Sequence, residues 1–178
     1  AGNHQTFKAD KIISGLDPRQ TCLNMIDSID INPTFRRQLS NIKYRGSTAR
    51  IHFALNSFPK IIGIKKEQMD AVFTISPSID YLERAFDDTK YGRISKHPFI
   101  QFSFPSMFNP DFAPNGKHVL SATIQYMPYH LNKDSWNKRL KSLIISNVTN
   151  ILSKYIPNFS NMIEDSLIMT PIEFESKL

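Results

Sequence analysis

The chain has 178 residues, 40% of them apolar and 21% charged, with a formal net charge of +6. A chain of that length can bury about 70% of the surface its unfolded form exposes, and its 13 Phe and 6 Tyr argue against disorder. No run approaches the ~18–20 apolar residues of a transmembrane helix, and residues 1–10 are polar, without the apolar core of a signal peptide.

Cys22 is the only cysteine, which excludes an intramolecular disulfide and a thiolate zinc site. A reducing compartment fits, cytoplasmic or, in a eukaryote, the mitochondrial matrix. The excess of Lys and Arg opens the reading of a non-catalytic basic module that binds nucleic acid or an anionic surface. The basic residues are scattered, however, and the densest groups are only Lys65-Lys66 and Lys138-Arg139 with Lys141. Solvated basic faces are the simpler reading.

In chain order, residues 6–14 (TFKADKIIS) read as a strand ending at Gly15. Asp17-Pro18 then opens a helix carrying Cys22, Leu23 and Ile26, with Asp17 as its cap, and a second helix starts after Asn32-Pro33 with Phe35 and Leu39. From Ser47 the period changes to two: Ala49, Ile51, Phe53 and Leu55 share one face of a strand, and Arg50, His52 and Ala54 the other. A loop with Pro59 and Gly63 leads to a short strand over 71–75. Ser76-Pro77-Ser78 starts a helix with Ile79, Leu82 and Phe86 at helical spacing, stopped at Gly92. Strands follow over 99–104 and 119–126, separated by a loop whose Pro105, Pro110 and Pro114 exclude a central strand. Residues 132–155 read as the longest helix, its stripe running from Trp136 through Leu140, Leu143, Ile144, Val148, Ile151 and Leu152 to Tyr155. After the apolar 167–169, Thr170-Pro171-Ile172-Glu173 forms a capping box with proline at the first helical position. So short a helix is not stable alone. It is therefore a terminal turn docked on the core, or the chain is part of something longer. The order of elements predicts an α+β domain: a mixed, mostly antiparallel sheet flanked by helices.

The absences narrow the chemistry. The glycines stand at 2, 15, 46, 63, 92 and 116, so neither a GxGxxG turn nor a phosphate-binding loop is present. His4, His52, His97, His118 and His130 have no partner at metal-ligand spacing, and there is no GxSxG elbow. Cys22, in an apolar helical pattern, reads as a small buried hydrophobe. Asp87-Asp88 diverge by about 100° on a helix and read as a solvated end rather than an acid pair. Arg50 and His52 lie opposite an apolar row, which fits both an ordinary surface face and a sheet face lining a cavity.

Several blocks together resemble the middle of the phytoene desaturase-like flavoprotein oxidoreductases. They are residues 13–18 (ISGLDP), 42–47 (IKYRGS), 78–88 (SIDYLERAFDD) with Tyr91-Gly92-Arg93, 98–100 (PFI) and 113–119 (APNGKHV). Gln125-Tyr126 with Pro128-Tyr129, Tyr155 with Pro157-Asn158-Phe159, and Thr170-Pro171 complete the set, in the family's order over nearly the whole chain. The resemblance implies an FAD-binding domain interrupted by a substrate domain, with both flavin-binding glycine segments outside this sequence. On that reading residues 1–20 are a strand and turn abutting the flavin domain, 21–170 the substrate-binding domain, and 171–178 a cut helix leading back, its end around Ile172 and Phe174 frayed or misplaced. The cofactor implied is FAD in the complete protein, with none tightly bound by this chain. The partners implied are the flavin-domain segments and an apolar small-molecule substrate, with hydride passing from a C–H bond to the flavin.

The resemblance makes Arg50, His52, Gln125 and Tyr129 substrate-facing and places Asp17 and Pro18 beside the cofactor. Related amine oxidases carry a lysine on the corresponding strand, and the matching position here is Arg50. An arginine does not act as a base near neutral pH, so the role implied for it is electrostatic or positional. The basic module remains the alternative.

Overall fold

A computed structural model describes residues 6–42 and 46–177. The chain divides into two units, Ala1–Tyr44 and Arg45–Leu178.

In the first unit the strand expected over 6–14 does not form. Its apolar residues are left in solvent, with Phe7 84% and Ile13 98% exposed. Ile12 and Ile13 are adjacent and so point to opposite sides, which gives a strand no single apolar face. Its backbone groups take part in no described strand pairing. Asp17 does cap: its Oδ1 accepts the N–H groups of Arg19 at 2.9 Å and Gln20 at 3.0 Å. The turn it opens widens into a π-helical segment, Gln20–Met25, in which Cys22 is half-buried. Asn32 Oδ1 accepts from the N–H of Thr34 at 2.9 Å and caps α1, Pro33–Asn41, whose Leu39 is buried.

The second unit is built on five strands: β1 (Thr48–Leu55), β2 (Phe73–Ile75), β3 (Phe99–Ser103), β4 (His118–Gln125) and β5 (Ile163–Met169). Their order is β2-β3-β4-β1-β5, and every pairing is antiparallel. The fold is α+β as expected, but the sheet is not mixed. The period of two in β1 is realised: Ala49, Ile51, Phe53 and Leu55 are fully buried. Leu120, Ala122 and Ile124 of β4, Ile100 and Phe102 of β3 and Ile168 of β5 join them on the inner face.

The long helix, α4, spans Lys138–Leu152 and places Ile144, Val148 and Leu152 in the same apolar cluster. It starts later than the pattern suggests. Asn137 Oδ1 caps it by accepting the Leu140 N–H at 2.9 Å, and Asp134 Oδ1 holds the Ser135 N–H at 2.8 Å in a competing local turn. Trp136 therefore lies outside the helix and donates its indole N–H to the Tyr129 carbonyl at 3.2 Å.

Helix α2, Ile79–Lys90, is capped by Ser78, whose Oγ accepts the Tyr81 N–H at 3.1 Å. The stripe it buries is not Ile79–Leu82–Phe86. Ile79 is 77% and Phe86 43% exposed, while Ala85 is fully buried. The helix packs through Ala85 with Tyr81, Leu82 and Thr89 around it, all at helical spacing. A short helix, α3 (Pro105–Phe108), lies in the proline-rich loop, and another, α5 (Phe159–Met162), precedes β5.

After β5 the capping box forms as read. The Thr170 N–H donates to Glu173 Oε2 at 3.0 Å and the Glu173 N–H to Thr170 Oγ1 at 3.4 Å. Helix α6, Pro171–Lys177, is held rather than frayed. Pro171 is buried, Lys141 Nζ of α4 donates to Glu173 Oε1 at 2.6 Å, and the Tyr129 hydroxyl donates to Glu175. Ile172 stays 39% exposed.

Candidate functional site

The residues of β1 that face away from the core are Thr48, Arg50, His52 and Ala54, and antiparallel register extends their face across the sheet. Arg50 stands between Thr123 of β4 and Met169 of β5, and Gln101 of β3 lies beyond Thr123. In the next row His52 stands between Ser121 and Leu167, with Ser103 beyond Ser121. Thr48 pairs with Gln125, whose Nε2 donates to the Thr48 hydroxyl at 3.1 Å. The outer face thus combines one guanidinium, one imidazole, two amides and several hydroxyls, with Met169, Leu167 and, opposite Ala54, Asp165 along the β5 side.

This face is not fully hydrated. Arg50, Gln101 and Leu167 are exposed, whereas His52, Ser121, Thr123 and Gln125 are half-buried. Burial pushes the His52 imidazole below its ordinary value of 6.5, and the Arg50 charge two residues away pushes it the same way. At neutral pH His52 is therefore the uncharged hydrogen-bonding partner on the face, and Arg50 its cation. Among the described residues no carboxylate forms an ion pair with Arg50. The nearby acids of β5 are placed otherwise: Glu164 receives Lys117 at 2.7 Å, and Asp165 lies opposite Ala54 and accepts the Ser166 N–H at 2.7 Å.

Arg50, His52 and Gln125 thus share the outer face of the sheet, Gln125 on β4 beside Thr48. Tyr129 is not on the strand. It lines a separate hollow of about 450 Å³ with Gly46, Ser47, Phe86, Thr89 and His130, and its hydroxyl, bonded to Glu175, is held above its ordinary range. Asp17 and Pro18 lie in the first unit, where both are exposed and Asp17 serves as a helix cap. Of the sequence blocks, Lys43, Tyr44 and Arg45 lie outside the described residues. The cross-strand neighbours Gln101, Ser121 and Thr123 were not singled out from sequence. The signal existed, since Leu120, Ala122 and Ile124 alternate with Ser121, Thr123 and Gln125.

A second hollow, of about 780 Å³, runs between α2 and the segment after it, lined by Tyr81, Arg84, Asp88, Arg93, Ser95 and His97 among others. Its charges are partly matched internally, as Arg93 Nε lies 3.3 Å from Asp88 Oδ1. The basic group near α4 is likewise divided, because Lys141 turns to Glu173.

The described residues do not fit a dinucleotide. Such a cofactor needs a glycine turn leading from strand into helix, so that the backbone can approach the pyrophosphate. The connections from strand to α-helix, at 76–78, at Phe104, at 126–137 and at Thr170, contain no glycine. The positive-φ glycines Gly63, Gly92 and Gly116 sit in unrelated turns. Among the described residues no group of three His, Cys, Asp or Glu side chains is placed to hold a metal, and no helix is long and apolar enough to cross a membrane.

No family model matches the chain. Over 173 residues, 92% of its length, it is 26% identical to pyridine nucleotide-disulfide oxidoreductase domain-containing protein 2 of Rattus norvegicus. It is 25% identical to the protein of that name from Mus musculus over the same span. The chain covers about 30% of the length of each of these relatives.

Proposed function

We propose that this chain supplies the substrate-facing part of a flavin-dependent oxidoreductase of the phytoene desaturase-like kind, with the cofactor held by other segments of the protein. The observation that carries the reading is the two-sided sheet. One face is the fully buried core; the other is a partly buried polar face that Arg50, His52 and Gln125 share. The relatives that align with nearly the whole chain are named for an oxidoreductase domain, and the lack of a glycine turn in this sequence fits a division of labour in which the dinucleotide is bound elsewhere.

In such an enzyme the flavin supplies the electron acceptor, and the protein supplies position and exclusion of water. The residues of this chain then have modest tasks. Arg50 presents a permanent positive charge, the uncharged His52 and the Gln125 amide orient polar atoms, and Leu167 and Met169 offer apolar contact. Arg50 does not serve as a general base, because an arginine stays protonated at neutral pH.

Titration of FAD into the purified chain, followed by quenching of flavin fluorescence, tests the division. Weak or no quenching is expected. Tight one-to-one binding would show that the chain carries its own cofactor site and would overturn the proposal.

A further inference from the structure

The outer face of the sheet has a charge, Arg50, with which no carboxylate pairs among the described residues, and an apolar edge beside it. Arg50 is flanked by Thr123 and Met169 and, one row on, by His52 with Ser121 and Leu167. None of these side chains is acidic. Along β1 its same-face neighbours are Thr48 and His52, again without a carboxylate, and Asp165 stands opposite Ala54, beyond the His52 row. Leu167 is 59% exposed although it sits in a strand directly beside the imidazole. With the half-buried Met169 opposite Arg50, the exposed Leu167 forms an apolar edge along the row that carries the cation.

We propose that the ligand of this face is an amphiphilic acid, a small molecule whose carboxylate is received by Arg50 and whose apolar chain lies along Leu167 and Met169. This rests on the reading of the face as substrate-binding and adds the chemical class. The planar guanidinium offers paired N–H donors that match the two oxygens of a carboxylate, which an ammonium or a hydroxyl does not match. Thr123, Ser121 and the neutral His52 surround it with hydrogen-bonding groups that add no competing negative charge. An apolar chain laid along Leu167 and Met169 would displace water from beside Arg50, and a charge pair gains strength where the local dielectric falls. The complement of such a surface is one negative end and one greasy body.

The test compares octanoate, 1-octanol and octylamine, each added to the full chain while the His52 imidazole and Leu167 methyl resonances are followed by NMR. Octanoate should shift both sets, saturably, and bind at least about tenfold more tightly than either competitor, as expected for a hydrogen bond to a charged group. Arg50→Gln should remove that preference, Arg50→Lys should restore part of it, and Lys60→Gln, in the exposed loop after β1, should leave it intact. Unchanged melting temperatures of the Arg50 variants would show that the loss is one of binding. If octanol shifts the same resonances as strongly as octanoate, the acid class is wrong while the face remains an apolar ligand site. If none of the three reaches His52 or Leu167, both the acid class and the substrate-facing reading fall. The flavin titration answers independently of either outcome.

Discussion

The two faces of β1 come from alternate residues of one eight-residue strand and do opposite work. Ala49, Ile51, Phe53 and Leu55 have no exposed surface, and Phe53 meets Phe159 edge-on with ring centroids 5.3 Å apart. Arg50 and His52, between them, touch a face that is open or half-open. The free energy of the fold is concentrated on the first set, since each large buried apolar side chain contributes about 1.5–3 kcal/mol. The second set is free to be chosen for chemistry. Stability and the proposed ligand contacts are thus separable here by strand parity, and mutations should show the separation.

The sharpest way to break that comparison is Phe53→Ala. It should lower the unfolding free energy by about 3–5 kcal/mol, through lost transfer energy and the cavity left against Phe159. Urea unfolding would measure it. Arg50→Ala should cost no more than about 0.5 kcal/mol, as surface substitutions usually do. If the two losses prove similar, Arg50 is structural and the division between the faces fails.

Gly92 offers an intermediate effect with a different cause. Its φ is +65°, and an added Cβ would meet the Asn132 nitrogen at 2.9 Å and the His130 oxygen at 3.0 Å. Gly92→Ala combines a left-handed conformation with a backbone collision, so a loss of about 1–3 kcal/mol is expected without any apolar burial being removed. The same substitution should disturb the hollow that contains Tyr129, because Gly92 and His130 both line it. A variant as stable as the parent would mean that the 130–132 segment moves away freely.

These effects show which parts of the fold were legible. Parity made β1 readable because a one-residue slip would have put Arg50 into the core. The α2 stripe was misread because size, not hydrophobicity, decided it: Ala85 allows close approach, while Ile79 and Phe86 are left on the surface. The start of β5 was missed because Glu164 and Asp165 do not look like strand residues. As an edge strand with β1 as its only described partner, β5 tolerates them, and Glu164 is matched by Lys117. Half of the site was legible for the same reason as β1. Tyr129 was not, since its placement depends on the turn after β4 rather than on any period.

A smaller effect contrasts a paired charge with the unmatched Arg50. Burial alone would raise the Glu173 carboxyl, but hydrogen bonds from Lys141 and from the Thr170 N–H and hydroxyl outweigh it and hold the group down at about 2. The folded value lies below the unfolded one, so this contribution is complete above about pH 5 and is lost as pH falls toward 2. Glu173→Gln should flatten that part of the stability profile and cost about 1 kcal/mol at pH 7, because the amide still accepts the Thr170 N–H but no longer pairs with Lys141. An unchanged acid limb would show that α6 is not held by this pair.

The smallest effect discriminates most finely between causes on the open face. His52 should titrate below 6.5, with burial as the larger cause and the Arg50 charge as the smaller. Because its folded value is lowered, the unfolded chain binds more protons below 6.5, and His52 makes the fold less stable as pH drops through that region. Arg50→Gln should therefore move the NMR titration of His52 upward but leave most of the depression in place. A return all the way to 6.5 would mean that the face is wet and that charge alone had shifted the imidazole. The low-dielectric setting that strengthens a pairing between Arg50 and a carboxylate would then be absent, and the preference for octanoate over octanol should shrink with it.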